Sequence, residues 1–523
     1  MKLNFLIILL LSVYASFSQS HSYLNHIHNR ELNKEINFSD KEIHTGLQPL
    51  DISHINLQLD LDSLPGSSPY SRNKKQNWFV RKLLKEHFFI VDEPGFKLAS
   101  SFLYKFEKGK DDFYQGDLSF NTRGVFVEGL IGNKTYFFSS FFENQTFYTG
   151  YIYNFVRKYS VTPGFGRVKG FDTGGFDYSS ASGFVSFQAL PTLNFQIGNG
   201  KHFVGEGYRS LLLSDNAFFY PFFKISFTKN KIQYNNIYST FQEVSSYDNL
   251  QRVHSRKSAT FNYFNYIFSK HFQLGLFEGI IWKSTDSLHS NNFNPNMLNP
   301  VIGTRALQYG MDGENNLIFG FQTKITPQKN TVLYFQYMLD KAGKSNADKR
   351  FGYQTGIKLF EIFGIKNLYC QAEFNKVRPY TYSSSREHLH YTYFNQALAH
   401  PLGANFKELI GIFSYSVKDI FVEIKINRIE TGLEQDSLFY GNNIFFNYSK
   451  PIPEDSQISF LQGDKTKINH VFLKLGYIIN RKTNMQVYFG ISKRDFIGNQ
   501  ATTNSKYLFF GLRTGLFNEY YDF

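Results

Sequence analysis

Residues 420–427 read Ile-Phe-Val-Glu-Ile-Lys-Ile-Asn and follow a turn at Lys418-Asp419. Every even-numbered position in this stretch is a branched aliphatic residue, whereas the odd-numbered positions are Phe, Glu, Lys and Asn. Side chains alternate between the two faces of a β-strand, so this strand has one apolar and one largely polar face. Such a strand suits lipid on one side and water on the other, although a strand of a soluble β-sandwich would show the same alternation.

The same period of two dominates the chain from about Phe96 onward. One hairpin covers residues 225–238 and turns at Lys229-Asn230, and another covers residues 317–339 and turns within 327–330. Closing such hairpins into a cylinder satisfies the backbone hydrogen bonds that lipid cannot satisfy. The repeated pattern therefore favours a transmembrane β-barrel.

The N-terminus predicts export. A short positive start at residues 1–2 precedes an apolar stretch at 3–14, and Ser16 and Ser18 suggest cleavage before Gln19. The apolar stretch is shorter than the roughly 20 residues that a spanning helix needs. We therefore expect a signal peptide over residues 1–18 and a location in the outer membrane of a Gram-negative bacterium.

Composition agrees with a barrel. The chain holds 59 Phe and 35 Tyr among its 523 residues, and it finishes on Phe523 after an alternating stretch. Its mean hydropathy is −0.33, which fits strands that face lipid with alternate residues only. We predict an all-β, monomeric outer-membrane barrel over residues 96–523, with about 18 antiparallel strands and an accepted range of 14–18.

The net charge and the cysteine content limit the ligands and cross-links that the chain could have. The net charge is +13, and an exported protein rarely meets nucleic acid, so we expect no nucleic acid to be bound. The positive charge suits lipopolysaccharide phosphates or an acidic capsule, or simply a solvated lumen and loops. The single cysteine, Cys370, excludes an intramolecular disulfide and a multi-cysteine metal site.

Residues 19–95 differ from the rest of the chain. They are rich in His and Asn, contain a turn cluster at 65–69, and include a basic segment at 78–87 that predicts a small amphipathic helix. The sequence leaves three placements open for this N-terminal region: the periplasm, the membrane surface, or the inside of the barrel as a plug.

The lengths of the connections predict an orientation. Short turns mark one rim, which in bacterial barrels is the periplasmic one. The longer polar connections are then extracellular, and they cover residues 242–258, 284–300, 341–350, 380–406 and 430–443.

Residues 200–217 concentrate charge and glycine in a short space. The glycine spacing is wrong for a phosphate loop. The segment suits either a polysaccharide-binding site or an internal salt-bridge network that fixes an inward-folded segment. Its candidate residues are Lys201, His202, Glu206, Tyr208, Arg209, Asp215 and Asn216.

A second candidate region follows a strand that ends at Pro379. Arg378, Tyr380 and Tyr382 lead into a polar excursion there. Tyrosines beside Arg, Asn and Gln suit sugar stacking, and tyrosines at a membrane rim suit contact with lipid headgroups equally well.

These segments also carry a family resemblance. The chain resembles the Wzi-type capsule assembly proteins and, more closely, the RemB-type gliding motility proteins of the Bacteroidetes. The resemblance covers about residues 75–410 and rests on 200–203, 207–217, 293–302, 362–369, 373–382 and 395–405. It implies an outer-membrane barrel involved in gliding or in holding capsular polysaccharide, with possible partners among other envelope or motility proteins.

Other functions remain as alternatives. A passive diffusion channel would need an open lumen, and a barrel hydrolase would need an assembled Ser, His and Asp site. His388, His390 and His400, with Ser214 and Asp215, match no known triad order or helical zinc motif. We therefore expect no catalysis, no cofactor and no metal.

Overall fold

The computed structural model describes residues 21–52, 55, 77–112, 117–171, 174–242, 244, 256–282, 295–309, 315–341, 349–384, 389–435, 438–446, 458–499, 501–515 and 517–523. The expected signal peptide, residues 1–18, and His388 lie outside these residues. Within the described ranges, no helix is both long and apolar enough to cross a bilayer.

Twenty-four strands are present in the described residues. In chain order they are β1 Leu47–Gln48, β2 Phe89–Glu93, β3 Phe96–Asp111, β4 Asp117–Ile131, β5 Thr135–Phe147, β6 Lys169–Phe171, β7 Gly175–Leu190, β8 Leu193–Gly200, β9 Phe203–Val204, β10 Tyr220–Lys229, β11 Ile232–Gln242, β12 Arg256–Ser269, β13 Phe272–Trp282, β14 Asn316–Gln328, β15 Thr331–Lys341, β16 Arg350–Phe360, β17 Leu368–Val377, β18 Thr392–Tyr393, β19 Gln396–Ala397, β20 Phe406–Val417, β21 Ile420–Leu433, β22 Asp464–Asn480, β23 Met485–Ile497 and β24 Thr502–Arg513.

The helices in the described part of the chain are short. They are α1 His26–Phe38, α2 Trp78–Leu84, α3 Gly150–Tyr159 and α4 Thr304–Tyr309, with 3-10 turns at Pro295–Leu298 and Ile362–Gly364.

Eighteen of the strands close an antiparallel barrel: β3–β5, β7, β8, β10–β17 and β20–β24. The barrel closes where β24 pairs with β3, from Tyr507 opposite Asp111 to Arg513 opposite Lys105. The first residues of β3, which lie before this seam, pair with β2 instead. The predicted all-β barrel of about 18 strands is confirmed.

The alternation in β21 sets its two faces as predicted. Ile420 is 55% exposed and points outward with the other even-numbered residues, whereas Asn427 is fully buried in the lumen. Neighbouring strands repeat this arrangement, so apolar side chains form an outer band. Phe106, Leu473, Phe489 and Phe510 are among the exposed members of that band.

The two rims differ as the sequence predicts. Turns of two to a few residues join β7 to β8, β10 to β11, β20 to β21 and β22 to β23 on one rim. The opposite rim carries the connections between β5 and β7, β8 and β10, β13 and β14, β17 and β20, and β21 and β22. We call these the short-turn rim and the long-loop rim.

Residues 21–50, which we call the N-terminal segment, lie inside the barrel. Within it, β1 pairs with β9, so that Leu47 lies opposite Val204. The His44 Nδ1 lies 2.7 Å from Oδ1 of Asn265, whose side chain faces the lumen. Of the three placements that the sequence left open, the structure therefore places this part in the lumen.

Helix α2 lies elsewhere, on the outside of the short-turn rim. The Asn480 side chain donates to the carbonyl oxygens of Leu83 and Glu86 at 3.2 and 3.0 Å. Phe79 and Leu83 of this helix are exposed. The predicted helix over 78–87 thus exists, and it ends three residues earlier than expected.

Residues 517–523 also enter the lumen from the short-turn rim. Phe517 packs against Phe219, with ring centroids 5.0 Å apart. The Tyr151 hydroxyl donates to the Tyr521 carbonyl oxygen at 2.5 Å. We call residues 517–523 the C-terminal segment.

Residues 295–309 fold down over the outside of β11–β14, and we call them the outer strap. The Tyr238 hydroxyl, on the outer face of β11, donates to the Leu298 carbonyl oxygen at 3.2 Å. Arg305 lies 3.6 Å from the carboxylate of Glu278, an outward-facing residue of β13 that the strap buries completely. Leu307 is 88% exposed on the far side of the strap.

Candidate functional site

The centre of the lumen is a network of buried charges around Arg209. Its guanidinium lies 2.8 Å from Oδ1 of Asp522 and 3.4 Å from Oε1 of Glu408. Lys425 Nζ lies 2.7 Å from the other oxygen of Asp522. Burial alone would raise the pKa of Asp522, but Arg209 and Lys425 outweigh it and hold that pKa well below its ordinary value.

The backbone around Arg209 is held by a second carboxylate. The amide groups of Tyr208 and Arg209 donate to the Glu373 carboxylate at 2.7 and 3.1 Å. Gly207 makes this approach possible, because a Cβ there would lie 2.6 Å from a Glu373 oxygen and from the Gln354 side chain. The Tyr208 hydroxyl donates to Asp522 at 2.8 Å.

Glu206 links this segment to the N-terminal segment and to the barrel wall. It accepts a hydrogen bond from Thr45 and lies 3.6 Å from Lys358. Burial would raise its pKa, but the charges of Lys324 and Lys358 keep the pKa of Glu206 below the ordinary value.

Lys201 is buried without a carboxylate partner within 4 Å among the described residues. It donates to the carbonyl oxygens of Gly164 and Asp215 at 2.6 and 3.0 Å, and it lies 4.8 Å from the centroid of the Phe219 ring. Burial lowers the pKa of Lys201 to about 8. His202 stands beside it, with Nδ1 3.1 Å from the Tyr220 hydroxyl.

Asp215 and Asn216 complete the segment. The Asp215 carboxylate accepts from Asn518 at 2.9 Å and from the Tyr520 hydroxyl at 2.8 Å. Asn216 donates to the Ala397 carbonyl oxygen at 3.1 Å. The seven candidates of the 200–217 segment are thus held by contacts with the barrel wall, as for His202, or with other segments inside the lumen. That they bind polysaccharide stays a prediction.

The second candidate group does not present its rings to a ligand. Tyr380 and Tyr382 are 2% and 0% exposed. Their hydroxyls donate to the carbonyl oxygens of Phe439 and Leu211, both at 2.7 Å. Arg378 stacks over the Phe351 ring at 5.5 Å. That these three residues bind polysaccharide stays a prediction, and the structure places them in packing roles.

A different pocket opens at the long-loop rim, and we call it the mouth pocket. Its cavity is about 70 Å³. Its aromatic side is formed by Phe155, Tyr159 and Phe445, with the Tyr159 and Phe445 ring centroids 5.2 Å apart. Its other lining residues are Pro163, Asn216, Asn395, Gln396, Ala397, Pro401, Leu402, Gly403, Asn442, Asn443, Ile444 and Phe523.

The chemistry of the mouth pocket suits a neutral hydroxylated ligand. None of its described lining side chains carries a charge, and five of them are those of Asn or Gln. Rings beside amide groups offer stacking together with hydrogen-bond donors and acceptors. The amides are themselves positioned: Asn395 donates to the Tyr159 and Val244 carbonyl oxygens, both at 3.0 Å.

The mouth pocket was only partly visible in the sequence. Asn395 and Gln396 lie in a segment that carries the family resemblance, and Asn216 was a candidate. Phe155 and Tyr159 are four residues apart on α3 and share a face, a helical spacing that could have been noticed. Phe445 had no sequence signal.

His400 and Ser214, which were considered for catalysis, make structural contacts instead. His400 Nε2 lies 2.7 Å from Glu408, and the Ser214 hydroxyl donates to the Ala399 carbonyl oxygen at 2.5 Å. Across the described residues, no group of three His, Cys, Asp or Glu side chains is arranged to hold a metal ion.

No protein-family model and no curated protein matches the sequence. Among solved structures, the chain is similar to Wzi of Escherichia coli, described as an outer membrane protein involved in group 1 capsule assembly and a carbohydrate-binding β-barrel. The identity is 11% and the TM-score 0.55, over 94% of this chain and 99% of Wzi. This likeness shows the fold, whereas the resemblance to RemB-type proteins stays a prediction from the sequence.

Two further barrels are similar at lower scores. OprD of Pseudomonas aeruginosa has 10% identity and a TM-score of 0.41, over 81% of this chain and 98% of OprD. OccAB4 of Acinetobacter baumannii has 9% identity and a TM-score of 0.40, over 80% of this chain and 97% of OccAB4.

Proposed function

We propose that this chain spans the outer membrane as a plugged barrel and binds surface polysaccharide at its extracellular mouth. Its cellular role would be in capsule organisation or in gliding over surfaces. The observation that carries the proposal is the mouth pocket, a cavity lined by aromatic and amide side chains at the rim of the long connections. The carbohydrate binding described for Wzi, which has the same fold, supports it further.

The orientation follows from the connections. Bacterial outer-membrane barrels keep short turns in the periplasm and long loops outside. The mouth pocket is built mainly from the β5–β7, β17–β20 and β21–β22 connections, with Asn216 of the β8–β10 connection, and these four connections all leave the long-loop rim. Phe523 of the C-terminal segment also lines it. In this orientation the pocket faces the cell surface, where capsular or other polysaccharide is found.

A role at the mouth also agrees with the contents of the lumen. Four segments are enclosed by the barrel wall: the N-terminal segment, residues 201–219, residues 389–405 and the C-terminal segment. Ser214 contacts the 389–405 segment and Asp215 the C-terminal one, so these pieces support one another. A diffusion channel would have to displace them.

Binding of purified barrel to capsular and lipopolysaccharide glycans on an array tests the proposal. Tyr159→Ala and Phe445→Ala should each weaken binding about threefold to tenfold, because a lost ring contact is worth roughly 0.5–1.5 kcal/mol. Arg157→Ala, an exposed change on the same helix, is the matched control and should bind as the unaltered protein does.

Cells lacking the protein should lose surface polysaccharide or spread less. Unchanged glycan binding in both aromatic variants, together with normal surface polysaccharide and spreading in a deletion strain, would contradict the proposal.

Conductance separates this role from that of a channel. In planar bilayers we expect only small, infrequent conductance steps from the purified protein. Large and steady conductance would favour the diffusion-channel alternative instead.

A further inference from the structure

Outward-facing basic residues near the long-loop rim are denser on one side of the barrel than on the other. On β3, β4, β22, β23 and β24, a basic residue follows the apolar band toward the long-loop rim. These five residues, which we call the cationic arc, are Lys108, Arg123, Lys467, Lys493 and Lys506.

The boundary between the apolar band and the cationic arc is sharp. Lys108 lies two residues after Phe106 on the same face of β3, and Lys506 lies two residues before Leu508 on the same face of β24, in both cases on the side of the long-loop rim. Successive outward residues of one strand are about 6.6 Å apart along it. The arc therefore lies directly at the edge of the hydrocarbon, at the level of the lipid headgroups.

The opposite side of the barrel has fewer basic residues. Toward the long-loop rim, the outward positions of β11, β13 and β14 include Thr240, Ile280 and Phe319, which are uncharged, whereas Arg256 faces outward on β12. A girdle of solvated lysines would be expected to continue evenly around the barrel. The uneven density therefore indicates a site.

Like charges face each other within the arc. Lys493 and Lys506 are direct cross-strand partners on β23 and β24. Such pairs are destabilising unless a counter-charge lies near them. Lys493 has Asp495 at 3.3 Å, whereas the other four arc residues have no carboxylate within 4 Å in the described part of the chain.

A groove beside Arg123 extends the arc. It has a volume of about 770 Å³ and is lined also by Arg167 and Lys169, with Glu143 and Asp177 among its other lining residues. Basic residues with nearby carboxylates suit a headgroup that combines phosphates with amines.

We propose that the cationic arc and this groove bind the phosphate groups of an anionic glycolipid in the outer leaflet. Phosphates between Lys493 and Lys506 would relieve their repulsion, and the acyl chains would lie along the apolar residues below. The proposal uses the membrane orientation given above but not the binding of polysaccharide, so the two can fail separately.

Titration of the purified barrel in an uncharged detergent tests this site. The probes are bisphosphorylated lipid A and the same lipid with its phosphates removed. A triple variant, Lys108→Gln, Lys493→Gln and Lys506→Gln, should bind the phosphorylated lipid on the order of 100-fold more weakly, from the contribution of each basic residue near an anionic surface.

The matched control removes three exposed lysines from the short-turn rim: Lys229→Gln, Lys366→Gln and Lys418→Gln. It should bind the phosphorylated lipid as the unaltered protein does. Equal losses in both triple variants would overturn the proposal, as would no loss in the arc variant. Equally tight binding of the dephosphorylated lipid to the unaltered protein would also overturn it, and this comparison needs no variant.

Discussion

Replacement of Arg209 by methionine should destabilise the lumen strongly. Arg209 and Asp522 are 2% and 1% exposed, and their charged groups lie 2.8 Å apart. Methionine keeps much of the volume but leaves Asp522 and Glu408 with fewer counter-charges. Breaking a buried ion pair by removing one partner costs about 3–5 kcal/mol, and Lys425, still 2.7 Å from Asp522, should keep the loss at the lower end of that range.

The measurement is the urea midpoint of the purified barrel in detergent, together with the temperature at which its gel mobility shifts on heating. Arg481→Met is the matched control, because it breaks an exposed Arg–Asp pair, 3.0 Å from Asp419. That change should cost roughly 0–1 kcal/mol.

A double variant sharpens the test. Asp522→Asn added to Arg209→Met removes one stranded charge, so the two changes should be less than additive by about 0.5–3 kcal/mol. An unchanged midpoint in Arg209→Met, or strict additivity in the double variant, would refute the reasoning that this pair holds the C-terminal segment in the lumen.

Three further changes have defined outcomes. Gly207→Ala should lower the unfolding midpoint by about 1–3 kcal/mol, since the added Cβ would lie 2.6 Å from a Glu373 oxygen; an unaltered midpoint would contradict this close approach. Arg305→Ala should leave Glu278 without its positively charged partner and make the outer strap sensitive to protease, whereas continued resistance would show that the strap is held by other contacts. Burial lowers the pKa of His21 and His26 from 6.5 to about 3, so the unfolded chain binds more protons between these values. The stability that they contribute is complete above pH 6.5 and is lost as the pH falls toward 3. The hydrogen-exchange protection factors of residues 21–50, which are corrected for the intrinsic pH dependence of exchange, should therefore fall from pH 7 to pH 5 and pH 4.

The barrel wall could be predicted because its signal is local. In β21 the polarity of each residue predicts whether its side chain faces the lipid or the lumen. The residues paired with it on β20 and β22 face the same side. The lengths of the turns and connections can also be read locally from the sequence, and they predicted which strand ends lie at each rim. Each of these features lies within about thirty residues of sequence.

The contents of the lumen could not be predicted in the same way. The 200–217 segment stood out because its charges had no place in lipid, but its partners, such as Asp522 and Glu408, lie some 200 to 310 residues away. No periodicity connects them. The mouth pocket is likewise lined by residues of four connections and of the C-terminal segment, which are distant from one another in the chain.

The presence of the outer strap could have been inferred in part from one departure from the alternating pattern. Glu278 occupies an outward position in a strand whose neighbouring outward residues, Leu276 and Ile280, are apolar. A carboxylate at that depth is costly in lipid unless something covers it. The sequence alone did not say that residues 295–309 provide the cover.

The outer strap and the basic side chains make two sides of the barrel chemically different. Residues 295–309 thicken the wall over β11–β14, whereas Lys493 and Lys506 project from β23 and β24. A neighbouring molecule in the membrane plane therefore contacts a different surface depending on the side from which it approaches. Lateral contacts with other barrels should consequently favour one rotational orientation of this protein, which would not be expected of a barrel with a uniform outer surface.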